Sequence, residues 1–178
     1  MKLKIVFGIL FVSLIMSGCG QADTNDELSV KENDVENIRQ LVSDYSLGTI
    51  QDESASITSQ QLIVKKSDGD EYVYDLSDED FFVSIAPYVD QTHPCTNHSL
   101  TGCQGELVKE TFDVYIEDME GNVIVDEALE TQSNGFFDLW LPRNQTYRIK
   151  IEQDGKLAES EISTFESDGT CITTMQLM

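Results

Sequence analysis

Short apolar runs separated by turn-forming residues fill the second half of the chain, and this pattern constrains the fold more than any other feature. Phe112–Ile116 alternates apolar and polar residues, as a half-buried strand does. Asn134-Gly135 and Asp154-Gly155 are typical of tight turns. Further strands are predicted at 81–86, 123–125, 136–141, 147–151, 157–163 and 171–177. This spacing predicts an antiparallel β-sandwich of about seven strands over residues 77–178.

The region before the sandwich has the pattern of one helix. Ser29 and Glu32 can form a capping box, and Gly48 is a good helix terminator. Between them the apolar residues recur at helical spacing: Val35, Ile38, Leu41, Val42 and Tyr45. We therefore predict an amphipathic helix here, with its apolar stripe used for packing.

A β-hairpin is predicted after the helix. Gln61–Lys66 and Glu71–Leu76 flank Asp68-Gly69, a dipeptide that supports a tight reversal. The polar segment Ile50–Ser59 between helix and hairpin is interpreted as a connector. Because a helix and a hairpin make a thin core, residues 29–76 should pack on the next domain or on a second copy. The predicted fold class is α+β, mainly β.

The N-terminus has the features of an export signal. Lys2 and Lys4 precede the apolar run Ile5–Met16, which is too short to span a bilayer. Ser17-Gly18 then precedes Cys19, an order that resembles a bacterial lipoprotein signal. The expectation is that residues 1–18 are removed and that Cys19 carries the lipid. Residues 19–28 are then a tether, and the protein is extracytoplasmic and anchored to the membrane.

The charge balance excludes one class of partner. The chain of 178 residues carries 33 Asp and Glu against 11 Lys and Arg, a formal net charge of −22. Phosphate contacts need clustered Lys and Arg, so nucleic-acid binding is not expected. The acidity is typical of a well-solvated surface.

A candidate metal site lies in the loop after the first sandwich strand. Both histidines of the chain, His93 and His98, fall within eleven residues of sequence together with Cys95 and Cys103. Thiolate and imidazole suit copper(I) and zinc. Glu106 follows as a hard carboxylate, which is a poor ligand for copper(I) and a better hydrogen-bond partner of a ligand.

Cys171 completes the candidate site. If Cys19 is lipidated, Cys95, Cys103 and Cys171 remain, and an odd number leaves at least one thiol outside any intramolecular disulfide. The last strand of a sandwich can lie beside the first, so Cys171 can meet the loop. Three thiolates suit trigonal copper(I), and a histidine would add a fourth ligand that zinc also accepts. A disulfide between two of the thiols in the metal-free protein stays open as an alternative.

The chain also resembles known proteins in two respects. Residues 118–151 are similar to prealbumin-like sandwich domains, which concerns architecture alone. More specifically, a set of segments over about residues 60–178 resembles the CueP family of periplasmic copper-binding proteins. The segments are Gln91–Cys95, His98–Leu100, Cys103–Leu107, Gly121–Asp126, Asn134–Phe136, Trp140–Arg143 and Thr170–Thr174.

The resemblance implies that copper is held through Cys95, Cys103 and Cys171. It also implies dimerisation through the helix-containing N-terminal part, a role in copper resistance, reduction of copper(II) to copper(I), and delivery to an exported copper-zinc superoxide dismutase. The lipoprotein signal departs from the periplasmic pattern and favours a tethered copper buffer over a diffusible carrier. Two alternatives remain: a thiol redox protein without stable metal, and a surface module stapled by a disulfide.

Overall fold

The computed structural model describes residues 38–51 and 53–178. The predicted signal peptide, lipidated Cys19, tether, capping box and Val35 lie outside these residues. The elements are α1 (Ile38–Ser46), β1 (Glu53–Ile57), β2 (Gln61–Lys66), β3 (Glu71–Asp75), β4 (Phe81–Ile85), β5 (His98–Ser99), β6 (Thr111–Asp118), β7 (Val123–Glu130), β8 (Phe137–Leu141), β9 (Thr146–Gln153), β10 (Lys156–Ser163) and β11 (Cys171–Ile172). The mainly β fold predicted from the sequence is confirmed.

The helix and the hairpin form where the sequence predicts them. α1 buries Val42 and Tyr45 on one face, and the chain leaves the helix at Gly48, whose φ of 70° is favourable for glycine. β2 and β3 pair antiparallel, and Gly69 in their turn has a φ of 98°. The local turn chemistry therefore decides this hairpin.

The interpretation of residues 50–59 as a connector is wrong. β1 lies within this segment and pairs antiparallel with β2 on one side and with β5 on the other. Ala55 and Ile57 are buried at alternate positions, but β1 has only one β-branched apolar residue, so its strand signal is weak. The apolar contacts of the fold, and not local propensity, make this segment a strand.

Three sheets make up the described part of the chain. Their strand orders are β3-β2-β1-β5, β10-β9-β6-β7 and β11-β4-β8. β4 is buried on both faces. Phe81, Val83 and Ile85 pack into the core shared with β6, β9 and β10. Phe82 faces the other way, into the core of the first sheet and α1. The β11-β4-β8 sheet is thus the middle layer.

The N-terminal elements pack on this middle layer. Trp140 of β8 and Phe82 of β4 pack against the core that α1 and the first sheet share. Arg39 of α1 lies 4.9 Å over the Trp140 ring. Arg143 donates to the carbonyl oxygens of Leu76 (2.7 Å) and Glu79 (2.6 Å), on the segment that joins β3 to β4. Packing on the following region was one of the two outcomes predicted for residues 29–76, while the domain boundary at residues 76 and 77 stays a prediction.

The middle sheet departs from a purely antiparallel sandwich. β8 pairs antiparallel with β4, but β11 pairs parallel with β4, with Cys171 opposite Ser84. A parallel bridge also joins Tyr88 to Gln176. The strand predicted at 171–177 is therefore only two residues long, because the C-terminal segment runs beside β4 with few ladder hydrogen bonds. This parallel pairing carries Cys171 to the loop that follows β4.

Within residues 38–51 and 53–178, no helix is long and apolar enough to cross a membrane.

Candidate metal centre

The loop from Thr92 to Glu106 is fixed at several points along its length. Its short strand β5 pairs with β1, which places His98 opposite Ile57. The backbone N–H of Cys103 donates to the carbonyl oxygen of Ser99 (3.0 Å), and the Thr92 hydroxyl donates to the carbonyl oxygen of Thr173 (2.7 Å). The loop is therefore held by both the first sheet and the C-terminal segment.

Two glycines allow the end of the loop to approach the β7–β8 connection closely. The backbone N–H of Gly105 donates to the carbonyl oxygen of Asn134 (2.6 Å). A Cβ atom at Gly105 would collide with the carbonyl oxygen of Gly135, which itself has a φ of 78°. This contact sets the position of Cys103, two residues earlier, against the sheet.

The three cysteines come together as free thiols. The Sγ atoms of Cys95 and Cys103 lie 3.6 Å apart. Cys171 packs with both in a small cluster that includes Ala86 and Phe136. The convergence of loop and last strand predicted from the sequence is thus present, and none of these three thiols is in a disulfide in this structure.

The histidines join the thiols in two overlapping groups. His93, Cys95 and Cys103 form a partly exposed outer cluster, and His98, Cys103 and Cys171 form a more buried inner cluster. In each cluster the potential ligand atoms all lie within 4.8 Å of one another. Cys103 belongs to both. Each cluster offers two sulfur atoms and one nitrogen, a donor set that fits a soft or borderline ion.

Aromatic packing separates the inner cluster from solvent. The His98 ring is fully buried and its centroid lies 4.5 Å from that of Phe136. Phe136 also packs at a distance of 6.3 Å against the ring of His93. Cys171 is only 5 % exposed. An open cavity of about 360 Å³, lined in part by His93 and Gln104, lies on the outer side.

Electrostatics distinguish the three thiols. A hydrogen bond from Cys171 is the largest of the causes that lower the pKa of Cys103 to about 2. The pKa of Cys171 is raised strongly, because the hydrogen bond to Cys103 and burial favour its protonated form. Burial is the main cause of the raised pKa of Cys95. The arrangement favours a thiolate at Cys103 between two protonated thiols, and thiolate is the form that binds metal and donates electrons.

Glu106 lies at the edge of this region and faces the backbone. Its carboxylate accepts hydrogen bonds from the N–H groups of Val89 (2.6 Å) and Asp90 (3.1 Å). The hydrogen bond from Val89 is the main reason that the pKa of Glu106 is lowered. This carboxylate therefore fixes the segment that leads into the loop.

Sequence reasoning missed two polar residues beside His98. The Ser84 hydroxyl lies 3.3 Å from Nε2 of His98 and donates to Oδ1 of Asp138 (2.6 Å). A signal was present: Ser84 is the only polar residue in Phe81–Ala86, and Asp138 is the only charged residue in Phe136–Leu141. A polar residue inside an apolar strand needs a partner when it is buried.

A family model and a solved structure both match the chain. The family model described as "Periplasmic copper-binding protein CueP" matches residues 35–176. The chain belongs to the CueP family. A solved structure titled "Crystal Structure of S.CueP" is 38 % identical, with a TM-score of 0.75, and the match covers 81 % of this chain and 91 % of that one. No curated protein matches.

CueP membership agrees with both the fold and the donor set. The match spans α1 and reaches Gln176, so it includes the loop and Cys171. The family is one of periplasmic copper-binding proteins, and the two clusters can hold a metal ion.

Proposed function

We propose that this CueP-family chain is an extracytoplasmic copper-binding protein that holds copper(I) through Cys95, Cys103 and Cys171. The observation that carries the proposal is that Cys95 and Cys103 of the loop and Cys171 of β11 lie together in one cluster, although they are far apart in sequence. His98 and His93 add one nitrogen donor each, on the buried and the exposed side of Cys103. Glu106 supports the loop without being a ligand.

The chemistry of the donors favours copper(I) over harder ions. Thiolate sulfur is soft, and copper(I) prefers two or three such ligands. Zinc is the alternative, since it accepts two sulfurs and nitrogen in a four-ligand set. An ion would reach the outer cluster from the open cavity at His93, and Cys103, which belongs to both clusters, would link it to the buried one. The ion would be held away from water once it reaches Cys171.

A cupric reduction is a second reaction open to the same thiols, and it competes with binding because an oxidised pair no longer offers thiolate ligands. The Cys95 and Cys103 thiols, 3.6 Å apart, can together give one electron to each of two copper(II) ions. The products are two copper(I) ions and one disulfide, and protons on the reacting sulfurs pass to solvent. The low pKa of Cys103 supports reaction near neutral pH, because the thiolate is the reactive form. It supports equally the alternative of a thiol redox protein.

The test of copper binding is a competition titration of the reduced protein with copper(I) and a chromophoric copper(I) chelator. Cys103→Ser and Cys171→Ser should each weaken binding by at least tenfold, about 1.4 kcal/mol. Met119→Leu is the control, since Met119 carries an exposed thioether sulfur on the β6–β7 turn, away from both clusters. Unchanged copper(I) affinity in both serine variants would reject the proposal. Tighter binding of zinc than of copper(I) would identify zinc as the bound ion.

Attachment to the membrane and assembly complete the proposal. Cys19 would carry the lipid, and residues 19–28 would link it to the folded part. Cys19→Ser should then move the protein from the membrane fraction to the soluble extracytoplasmic fraction. Residues 29–76 would form the contact of a homodimer, which sedimentation of the mature protein tests.

The recipient of the copper follows from the family resemblance. An exported copper-zinc superoxide dismutase would receive the ion, and a membrane-tethered buffer would supply it only over a short distance. Mixing the copper-loaded protein with copper-free dismutase should transfer copper and restore dismutase activity. Retention of all copper by the loaded protein would leave buffering as its role.

A further inference from the structure

Ser84 lies between Cys171 and Asp138 in one row of the middle sheet. Cys171 is its register partner on β11, and Asp138 is its register partner on β8. Side chains at paired positions of neighbouring strands point to the same face. The row therefore runs from a candidate sulfur ligand, through a buried hydroxyl, to a carboxylate that is only partly buried.

The His98 ring lies beside both Cys171 and Ser84, the two residues of the row that are nearest the metal centre. Its Nδ1 lies 3.5 Å from Sγ of Cys171, and its Nε2 lies 3.3 Å from Oγ of Ser84. The backbone N–H of His98 donates to the Thr170 hydroxyl (2.9 Å). Nδ1 thus has a thiol as its neighbour, and Nε2 has a hydroxyl.

The direction of the hydrogen bonds follows from counting hydrogens. A serine hydroxyl has one hydrogen, and that of Ser84 is donated to Asp138 at 2.6 Å. Asp138 also accepts from Nε2 of Gln132 (3.3 Å). Oγ of Ser84 can then only accept from His98, so Nε2 carries a hydrogen. This holds whether the ring is neutral or cationic.

We propose that Ser84 and Asp138 are positioning residues that keep a hydrogen on Nε2 of His98 and so present Nδ1 to Cys103 and Cys171. The inference rests on the proposed function, since Nδ1 is then the nitrogen that binds copper. Histidine ligands commonly donate their other ring N–H to a carboxylate or a neighbouring acceptor, which fixes ring orientation and tautomer. Here a hydroxyl stands between the ring and the carboxylate.

The direct test is long-range ¹H–¹⁵N correlation NMR of His98 in the reduced, metal-free wild-type protein, which needs no variant. We expect a protonated Nε2, and after loading with copper(I) a change at Nδ1 while Nε2 keeps its hydrogen. A metal-free ring protonated at Nδ1 alone, or copper bound to Nε2, would overturn the inference. The metal-free spectrum tests it even if copper binding fails.

Two variants test the chain of hydrogen bonds. Ser84→Ala removes the acceptor, and Asp138→Ala frees the Ser84 hydroxyl to donate to Nε2, so both should increase the Nδ1–H form. Both should also weaken copper(I) binding by about 10- to 100-fold. Ser59→Ala is the matched control, because this mostly buried hydroxyl donates to the carbonyl oxygen of Glu166 (2.6 Å). Wild-type tautomer and affinity in both test variants would contradict the proposal.

Discussion

The Sγ atoms of Cys95 and Cys103 lie 3.6 Å apart without a bond between them. A disulfide bond is about 2.05 Å long, so these two sulfurs can join after a small movement of the loop. Cys171 is more buried than either of them. We therefore expect Cys95 and Cys103 to be the first pair to be oxidised, with Cys171 as the remaining thiol.

Treatment of the reduced protein with two equivalents of copper(II) should therefore produce one disulfide, between Cys95 and Cys103. Differential alkylation followed by peptide mass spectrometry measures the pairing, and a copper(I) chelator measures the reduced copper. Cys95→Ser should abolish this disulfide. A disulfide that includes Cys171 in the wild-type protein would contradict the assignment.

The two histidines should contribute unequally to copper(I) affinity. His98 is fully buried, and its ring packs against Phe136, whereas His93 belongs to the partly exposed cluster. We expect His98→Gln to weaken binding by about tenfold or more, about 1.4 kcal/mol, and His93→Gln to have a smaller effect. Competition titration of the two variants measures the order, and the reverse order would place the ion in the outer cluster.

A methyl group at Gly105 should disturb the metal centre through the backbone. Gly105→Ala would push the loop away from Gly135, so it should lower thermal stability and copper(I) affinity together. Overpacking of this kind costs about 1–3 kcal/mol. Ser133→Ala is the control, because it places the same side chain at an exposed position of the β7–β8 connection. Equal effects of the two substitutions would show that the close approach is unimportant.

The carboxylate of Glu106 should make stability depend on pH. Its pKa is lowered in the folded protein, chiefly by the hydrogen bond from Val89. The stabilisation is then complete above the unfolded pKa of about 4.3 and is lost as the pH falls through the folded value. Denaturant unfolding of wild type and Glu106→Gln should differ by roughly 1 kcal/mol at pH 7 and by less at pH 3.

The control for this pH effect is Glu120→Gln, at an exposed position of the β6–β7 turn. It should change stability little at either pH. A Glu106→Gln difference that grows as the pH falls would contradict the role assigned to the carboxylate.

Much of the fold could be predicted from the sequence because turn chemistry and alternation are local signals. The Asp68-Gly69 hairpin and the strands around Asp154-Gly155 are examples. β1 was not predicted, because its short alternation of small residues is a weak strand signal and its pairing with β2 and β5 is what makes it a strand. Tertiary context decides such segments.

The candidate site, too, could be predicted only in part from local sequence signals. Two of its thiols and both imidazoles are visible as residue types in one loop, and Cys171 is the third thiol that would remain if Cys19 carries a lipid. The parallel pairing of β11 with β4 is a long-range contact, so no local pattern predicts that Ser84 and Cys171 share a row. The supporting hydrogen bonds of Ser84 and Asp138 depend on that row.

X-ray absorption at the copper edge, on protein loaded with one equivalent of copper(I), tests the central claim most directly. We predict a shell that contains at least two sulfur atoms in the wild-type protein and a lower sulfur count in Cys171→Ser. A shell of nitrogen and oxygen only, or identical spectra for the two proteins, would contradict the meeting of these thiols around one ion.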